Sequence, residues 1–374
     1  MVINSAGHES GGVAAPATKG NKNLDGHKLL IVTRDDPPAD KIERLKSQFS
    51  GLKIEHRRAE WATKTLDDWA DEDWKDITIL LTGNTFPANK EVAPKLQYVQ
   101  LQSAGANMLL KHPLFTDSNV EFCTANGVHG PQIAEWVITT FLAFQHFIPR
   151  YLDNQREGKW VRILEGVHDA VGQRVGILGY GAIGRQVARV FKAMGSDIHA
   201  YTLHPRNTPE SRRDDTYTPP GLGDPEGQFP SKWFSGETKE ELHEFLASGL
   251  DLLVVALPLT PKTEHLLGAP EFEVLSKKKT YVANIARGPI IKTDDIIEAL
   301  NKELIRGAAL DVTDPEPLPD GHPLWKAKNV IITPHISGAS TEYTNRVLAI
   351  LEQNLHRLAE GKELTNRVSR KDGY

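Results

Sequence analysis

The 374-residue sequence is poor in two features that would point to a special environment or partner. It contains one cysteine, Cys123, so no disulfide can form within the chain, and we expect a reducing compartment, the cytoplasm. It has no basic excess, because 44 Lys and Arg residues face 49 Asp and Glu residues. Proteins that bind nucleic acids usually carry such an excess, so no nucleic acid partner is expected.

Long apolar runs are also missing. None approaches the roughly 20 residues that span a bilayer, and the longest candidate, residues 136–148, contains Thr, Gln and His. The first 26 residues are rich in Gly, Ala, Ser and Asn and lack the apolar block of a secretory signal. We therefore expect no membrane partner, and we expect residues 1–26 to form a disordered tail.

Short apolar runs alternate with helical patterns along the rest of the chain. Continuous apolar runs of this kind are typical of buried parallel strands, so the fold class is expected to be α/β with two doubly wound parallel sheets. Six of the runs lie between residues 174 and 335, the size of a Rossmann cofactor domain. We assign that domain to residues 131–335, inserted in a flavodoxin-like substrate domain formed by residues 27–130 and 336–374. The Pro- and Gly-rich stretch 204–236 is expected to lack regular structure.

A glycine-rich segment follows the first strand of the later series. The sequence GYGAIG matches G-x-G-x-x-G, and it lies between the strand RVGIL and a helical stretch. In this context the glycines allow a tight turn, a close approach of the pyrophosphate and close helix packing. The predicted dinucleotide-binding residues are Gly179, Tyr180, Gly181, Ala182, Ile183 and Gly184.

The end of the next strand bears on the choice of cofactor. NAD sites usually place an acidic residue there for the ribose 2′-hydroxyl, but this sequence has Thr202. A neutral residue would not repel a 2′-phosphate, and Arg206 could bind it. NADP(H) is therefore the favoured cofactor, with NAD(H) as the alternative.

Three polar residues follow strands of the later series and form a chemical set. Arg287 offers a bidentate donor for a carboxylate, and His335 can act as a general acid near neutral pH. Glu316 could hydrogen-bond the imidazole and fix its orientation. Because ligands bind beyond the carboxyl ends of parallel strands, all three are expected on the rim that carries Gly179. Together they suit the reduction of a 2-keto acid. The histidines and the single cysteine show no metal-ligand spacing, so no metal is expected.

Four motifs resemble one known family. GYGAIG, NIARG, DVTDPEPL and TPHISG occur in this order, with LPLTPKTEHLL and HPLWKAKNVIITPH among them. They are similar to the D-isomer-specific 2-hydroxyacid dehydrogenases over about residues 77–361. The resemblance implies an NAD(P)-dependent oxidoreductase that forms D-2-hydroxy acids, of the glyoxylate/hydroxypyruvate reductase kind. It implies that Arg287 binds the substrate, that His335 is the acid/base catalyst and that Glu316 is the partner of His335. It also implies a homodimer, because residues 151–160 resemble the dimer-forming segment of the family.

The same resemblance implies further contacts with the ligands. Backbone amides of Ala104 and Gly105 would bind the substrate carboxylate. The remaining cofactor residues implied by the family are Leu257, Pro258, Thr263, Ile285, Ala286, Asp311 and Gly338. The segment before the long helix lacks the hydroxyl residue common in the family and has His129, for which a ligand contact and a structural role at the helix start are both open.

Two other functions are compatible with this pattern. One is a non-enzymatic corepressor that senses NAD(P), on the same fold. The other is a formate dehydrogenase, which resembles the pattern but has Gln where this chain has Glu316.

Overall fold

The computed structural model describes residues 21–59 and 69–370. Most of the tail predicted for residues 1–26 lies outside these ranges. Residues 21–26 form hydrogen-bonded turns instead of a disordered end, because Leu24 is fully buried and donates its amide to Asn21 at 3.0 Å.

The described chain forms two compact units. The first comprises residues up to Gln102, then Ala106–Thr124, and the chain from Leu348 onwards; the second comprises Ser103–Gly105 and Ala125–Val347. These divisions fall after residues 124 and 347, whereas the sequence pattern predicts them after residues 130 and 335.

The first unit contains a five-stranded parallel sheet. Its order, β2-β1-β3-β4-β5, is that of flavodoxin-like folds. The strands are β1 (Lys28–Thr33), β2 (Lys53–Arg58), β3 (Ile79–Thr82), β4 (Tyr98–Leu101) and β5 (Glu121–Cys123). Helices α1 (Ala39–Gln48) and α2 (Pro113–Thr116) connect them, with short 3₁₀ turns at Asp71–Trp74 and Asn107–Leu109. Strand β2 was not predicted because its sequence, KIEHRR, is polar, as suits an edge strand.

The second unit contains a seven-stranded parallel sheet in the order β12-β11-β10-β9-β6-β7-β8. The strands are β6 (Arg174–Leu178), β7 (Asp197–Thr202), β8 (Pro230–Ser235), β9 (Leu252–Val255), β10 (Tyr281–Asn284), β11 (Gly307–Leu310) and β12 (Val330–Ile332). Its helices are α3 (Gly130–Gln145), α4 (Ile148–Arg156), α5 (Ala182–Ala193), α6 (Pro209–Arg212), α7 (Lys239–Leu246), α8 (Ala269–Ser276) and α9 (Thr293–Asn301), with 3₁₀ turns at Gly288–Ile290 and Pro323–Lys326. The last helix, α10 (Tyr343–Ala359), begins in this unit and belongs to the first unit from Leu348 onwards. Both sheets confirm the predicted fold class.

The stretch 204–236 was predicted to lack regular structure, and this prediction is wrong. It contains the short helix α6 and the edge strand β8, which pairs in parallel with β7. The strand was not predicted because it begins at Pro230 and only Phe234 in it is buried, with its ring 5.4 Å from that of Phe245. A proline is tolerated at the first residue of an edge strand. With β8 included, strands β8-β7-β6-β9-β10-β11 follow the Rossmann order.

Apolar clusters cover both faces of the larger sheet. One contains Phe245, Phe272 and Leu300, and the other contains Phe141, Phe191 and Val187. Because these clusters hold the strands in place, the first residues of the loops that follow the strands are also fixed in position. Within the part of the chain that the structure describes, no helix is both long enough and apolar enough to cross a membrane.

Candidate active site

The glycine-rich loop joins β6 to α5, and each of its glycines meets a different requirement. Gly179 has φ +104°, and a Cβ there would lie 2.6 Å from the carbonyl oxygen of Ala256. Gly181 caps α5 and has no atom within 4 Å of such a Cβ, so this side of the loop is open. At Gly184 a Cβ would collide with the carbonyl oxygen of Gly179. The loop therefore packs tightly at both ends and leaves space in the middle, as a pyrophosphate cradle requires.

The first turn of α5 begins with Ala182 and Ile183. The first amides of a helix have no intrahelical acceptors and lie at the positive end of the helix dipole. They are available to an anion placed at Gly181. The side chain of Tyr180 takes no part in this opening, since it is buried and its hydroxyl donates to Asp224 Oδ2 at 2.7 Å.

The end of β7 carries no carboxylate. Thr202 is half-buried, and its hydroxyl donates to the carbonyl of His204 at 2.8 Å. The guanidinium of Arg206 donates to the carbonyl oxygen of Ser211, and its own carbonyl accepts from Arg212 Nε at 2.9 Å. Arg206 is therefore bound within its own loop.

A pocket lies beside the end of β7, between the loops that follow β8 and β9. It is lined by Tyr201, Leu203, Glu237, Leu257, Lys262 and Thr263, among others. Of the predicted cofactor residues, Leu257 and Thr263 border this pocket, and Pro258 is exposed next to them. Thr263 is used within its turn, because its hydroxyl donates to the Pro258 carbonyl at 2.7 Å. Glu237 and Lys262, which form an ion pair at 2.5 Å, were not predicted. Glu237 follows the unrecognised strand β8, and Lys262 lies in LPLTPKTEHLL, of which only Leu257, Pro258 and Thr263 were assigned to the cofactor.

Arg287 lies in a tight turn after β10. The amide of Asn284 shapes this turn, since Oδ1 accepts from the Ala286 N–H at 3.1 Å and Nδ2 donates to the Arg287 carbonyl at 3.1 Å. Ile285 and Ala286 are buried. The half-buried guanidinium of Arg287 donates to the Ala286 carbonyl at 2.7 Å. Among the described residues it has no carboxylate partner within ion-pair distance, so its N–H groups are available to bind the carboxylate of a ligand.

The next residue, Gly288, brings two loops together. A Cβ at this position would overlap the carbonyl of Thr313, so only glycine allows the Arg287 turn to pack on the loop that follows β11. That second loop is also held by Thr293, whose hydroxyl donates to the Asp314 carbonyl at 2.7 Å. Glu316 lies two residues further along it.

His335 and Glu316 form a direct pair. The Nδ1 atom of His335 lies 2.7 Å from Glu316 Oε1, and the two side chains are 48% and 40% exposed. The backbone of His335 is left-handed, with φ +52°, and its N–H donates to the Asp311 carbonyl at 2.7 Å. With Nδ1 engaged by the carboxylate, Nε2 is left as the ring nitrogen for a substrate.

The buried carboxylate of Asp311 holds the His335 loop in place. It accepts from the Thr333 hydroxyl at 2.6 Å, from the Ile336 N–H at 2.8 Å and from the Ser337 N–H at 2.9 Å. The structure thus gives Asp311 a positioning contact that the sequence analysis did not foresee.

Gly338 and the start of α3 form the far side of the same loop. Gln132 Nε2 donates to the Gly338 carbonyl at 3.0 Å, and Gln132 Oε1 accepts from Arg346 at 2.6 Å. His129 is buried next to them, and its ring lies 5.0 Å from that of Tyr343. Burial, aided by the charge of Arg346, lowers the pKa of His129 to about 4, so this imidazole is neutral at pH 7.

Ala104 and Gly105 lie in a turn held by Ser103, whose hydroxyl donates to the Gly105 carbonyl at 2.7 Å. Ala104 is exposed. No hydrogen bond within the described residues joins this turn to Arg287 or His335. Glu316, His335 and Asp311 are linked by hydrogen bonds, and Arg287 reaches them through the packing of Gly288.

Comparison with known proteins gives consistent results. A family model described as D-isomer specific 2-hydroxyacid dehydrogenase, NAD binding domain, matches residues 138–220 and 226–337. The chain is 30% identical over 293 residues to a glyoxylate reductase of Aeropyrum pernix, and the aligned region covers 74% of this chain and 78% of that protein. It is 32% identical over 225 residues to the glyoxylate reductase/hydroxypyruvate reductase of Homo sapiens, with 59% and 61% covered.

Solved structures show the same similarity. A D-isomer specific 2-hydroxyacid dehydrogenase from Xanthobacter autotrophicus Py2, in complex with NADPH and MES, superposes with a TM-score of 0.70 at 26% identity. The match covers 96% of this chain and all of that one.

Proposed function

Because the chain belongs to the D-isomer specific 2-hydroxyacid dehydrogenase family, we propose that it reduces a small 2-keto acid to the D-2-hydroxy acid with NADPH. The observation that carries this proposal is the pair formed by His335 Nδ1 and Glu316 Oε1 at 2.7 Å. A carboxylate-backed imidazole is suited to donate a proton to a developing alkoxide.

Each residue of the pair and its neighbours has a role in this reaction. Arg287 binds the substrate carboxylate, and its fork orients the adjacent keto group. His335 donates a proton to the carbonyl oxygen while a hydride reaches the carbonyl carbon, so a C=O group becomes CH–OH. Glu316 keeps the ring in one orientation through its contact with Nδ1 at 2.7 Å.

The loop after β6 fits a dinucleotide. Its middle glycine, Gly181, leaves open space beside the first amides of α5, while Gly179 and Gly184 are packed against the backbone. These residues would hold the pyrophosphate. Leu257, Pro258, Ile285, Ala286 and Gly338 would line the rest of the cofactor. A bound nicotinamide supplies the hydride.

NADP(H) is our proposed cofactor. Thr202 leaves the strand end without the carboxylate that would repel a 2′-phosphate, and Arg206 follows four residues later. Arg206 must leave the Ser211 carbonyl to bind that phosphate. The similar structure from Xanthobacter autotrophicus, which contains NADPH, supports this choice. We expect Thr202→Asp to raise the KM for NADPH at least tenfold more than that for NADH, as measured in steady-state assays.

Glyoxylate or hydroxypyruvate is our proposed substrate. The support is the similarity to a glyoxylate reductase of Aeropyrum pernix and to the glyoxylate reductase/hydroxypyruvate reductase of Homo sapiens. Both compounds are small and carry a carboxylate next to a carbonyl. This matches an exposed imidazole and a guanidinium that has no carboxylate partner among the described residues. We propose that the backbone amides of Ala104 and Gly105 also bind the carboxylate.

A second copy of this chain is the proposed macromolecular partner. The segment around α4 exposes large apolar side chains, with Trp160 at 91% and Leu164 at 83% exposure. Exposed apolar groups this concentrated are typical of an interaction surface. Sedimentation analysis of the purified chain tests this proposal, and a monomer at micromolar concentration would contradict it.

A substrate panel tests the proposed activity. Purified protein is assayed for NADPH and NADH oxidation with glyoxylate, hydroxypyruvate, pyruvate and 3-phosphohydroxypyruvate. We expect turnover of the first two, faster with NADPH. Binding of NADPH with no turnover of any acid would favour the corepressor, whereas formate-dependent reduction of NAD would favour the formate dehydrogenase.

A further inference from the structure

The segment 204–229, between β7 and β8, is fixed against the glycine-rich loop. Residue Asp224 is its centre: the carboxylate is 4% exposed and accepts from the amides of Gln228 at 2.9 Å and Phe229 at 3.1 Å. Its third donor comes from outside the segment. The hydroxyl of Tyr180, the residue between Gly179 and Gly181, donates to Asp224 Oδ2 at 2.7 Å.

Tyr180 is held by more than this bond. Its ring is buried, packs edge-on against Trp233 at 5.0 Å, and lies under the guanidinium of Arg185 at 5.0 Å. Burial and the nearby Asp224 charge raise the pKa of the Tyr180 phenol, so the hydroxyl remains a donor throughout the physiological range. The side chain in the middle of the nucleotide motif is therefore anchored to the segment.

The first turns of α5 are attached to the same segment. Arg185, 4% exposed, donates to the carbonyl oxygens of Asp224 and Arg212, the latter at 2.7 Å. Gln186 Oε1 accepts from the Gly223 N–H at 2.7 Å. These contacts fix the helix end whose free amides face the open side of Gly181.

The segment also reaches the chain just before α3. The carbonyl of Tyr217 lies so close to Gly127 that a Cβ there would overlap it, and Gly127 has φ +93°. The segment thus contacts the glycine-rich loop, the start of α5 and the approach to His129. Hydrogen bonds join it to the first two of these parts, and close packing of Tyr217 on Gly127 joins it to the third.

We propose that Asp224 is a positioning residue for cofactor binding, which fixes the loop Gly179–Gly184 in its open shape through the Tyr180 hydroxyl. This inference rests on the proposed function for its cofactor, and it adds a role for the segment 204–229. A fixed loop loses less conformational entropy when the dinucleotide binds, so the anchor strengthens binding without touching the reacting groups. Its loss should raise the dissociation constant for NADPH and leave kcat at saturation unchanged.

Tyr180→Phe isolates the anchor, because it removes one hydroxyl and leaves the amide donors of Asp224 in place. We expect the dissociation constant for NADPH, measured by fluorescence titration, to rise about tenfold, with kcat at saturating NADPH within twofold of wild type. Asp224→Asn keeps an acceptor oxygen and should lose less affinity than Asp224→Ala. The matched control is Glu226→Gln, an exposed acid in the same segment that pairs only with Arg213 at 3.5 Å among the described residues, and its affinity should not change.

The result that overturns the proposal is NADPH affinity within twofold of wild type in both Tyr180→Phe and Asp224→Ala, with circular dichroism showing folded proteins. A lower melting temperature without a change in affinity would give the segment a structural role only and also contradict it. Failure of the proposed function is distinguishable, because wild-type protein would then bind NADPH and reduce no 2-keto acid, and the titrations would still decide the role of Asp224.

Discussion

His335, the proposed proton donor, also has an unusual backbone conformation. Its φ of +52° lies in the left-handed region, which costs a residue with a Cβ about 1 kcal/mol or more. Asp311 offsets this cost, since its carbonyl accepts the His335 N–H and its carboxylate accepts the next two amides. The backbone is thus held where the ring can meet Glu316. Strained backbone that the surrounding structure maintains is found most often at functional positions.

His335→Asn tests the acid role with little disturbance of the loop, because Asn tolerates left-handed backbone. We expect kcat for keto-acid reduction to fall by roughly 10²–10⁴, since proton donation is lost. Glu316→Gln, which keeps a hydrogen bond and loses the charge, should fall less. A His335→Asn enzyme with kcat within threefold of wild type would show that the proton comes from elsewhere.

Arg287→Lys tests carboxylate binding. The substitution keeps the positive charge and loses the planar fork, so the KM for the keto acid should rise about tenfold or more, with a smaller effect on kcat. Arg58→Lys on the exposed edge strand β2, where Nε donates to Asp36 Oδ1 at 3.0 Å, is the matched control and should change neither constant. If the two variants behave alike, Arg287 does not bind the carboxylate.

At the level of elements, two glycines in site loops should give opposite results on substitution. Gly288→Ala places a methyl group on the Thr313 carbonyl, so the Arg287 turn must move away from the Glu316 loop. We expect a loss of about 1–3 kcal/mol in the free energy of unfolding together with reduced kcat/KM. Urea denaturation and steady-state assays measure the two effects, and a variant with unchanged stability would contradict the packing described for these loops.

Gly181→Ala provides the contrasting case. This glycine has φ −87° and no atom within 4 Å of a built Cβ, so the apoprotein should keep its melting temperature. The methyl group would instead occupy the space proposed for the pyrophosphate, and NADPH affinity should fall at least tenfold. Retention of full affinity would place the pyrophosphate elsewhere.

The sequence predicts the elements unevenly, and the reason is physical. Central strands such as β6 and β9 are buried on both faces and are recognisable as continuous apolar runs. The edge strands β2 and β8 are polar or begin with proline, so the same criterion misses them. Residues at the ends of central strands were therefore predictable, whereas the pocket beside β8 was not.

The direction of side chains was also beyond the sequence. Tyr180 and Arg206 both belong to loops expected at the cofactor, but the structure directs Tyr180 to Asp224 and Arg206 to the Ser211 carbonyl. The hydrogen-bond partner that fixes the first of these orientations is 44 residues away in the sequence. A motif identifies which backbone approaches a ligand, and packing decides what each side chain does.

For the whole molecule, buried neutral histidines make stability depend on pH. Burial lowers the pKa of His199 to about 4, with Arg174 adding to the effect, and His129 behaves similarly. In the unfolded chain a histidine has a pKa near 6.5, so between about pH 6.5 and 4 the unfolded state binds more protons. The free energy of unfolding should therefore be fully present above pH 6.5 and fall as the pH decreases towards 4.

His199→Asn tests this dependence, because Asn can keep the hydrogen bond that Nδ1 makes with Ser248 at 2.8 Å. We expect the loss of stability between pH 7 and pH 5, measured by urea denaturation, to be smaller than in wild type by about 1–2 kcal/mol. The exposed His168→Asn variant is the control and should follow the wild-type profile. Identical losses in all three proteins would rule out His199 as a source of the dependence.

The central claim is that hydride and proton transfer at this site form a D-2-hydroxy acid. The most direct measurement is incubation of the purified protein with hydroxypyruvate and NADPH, followed by chiral chromatography of the product. We predict one equivalent of D-glycerate for each NADPH oxidised, and none with His335→Asn over the same interval. L-glycerate, or no oxidation of NADPH here and of NADH in a parallel incubation, would contradict this claim.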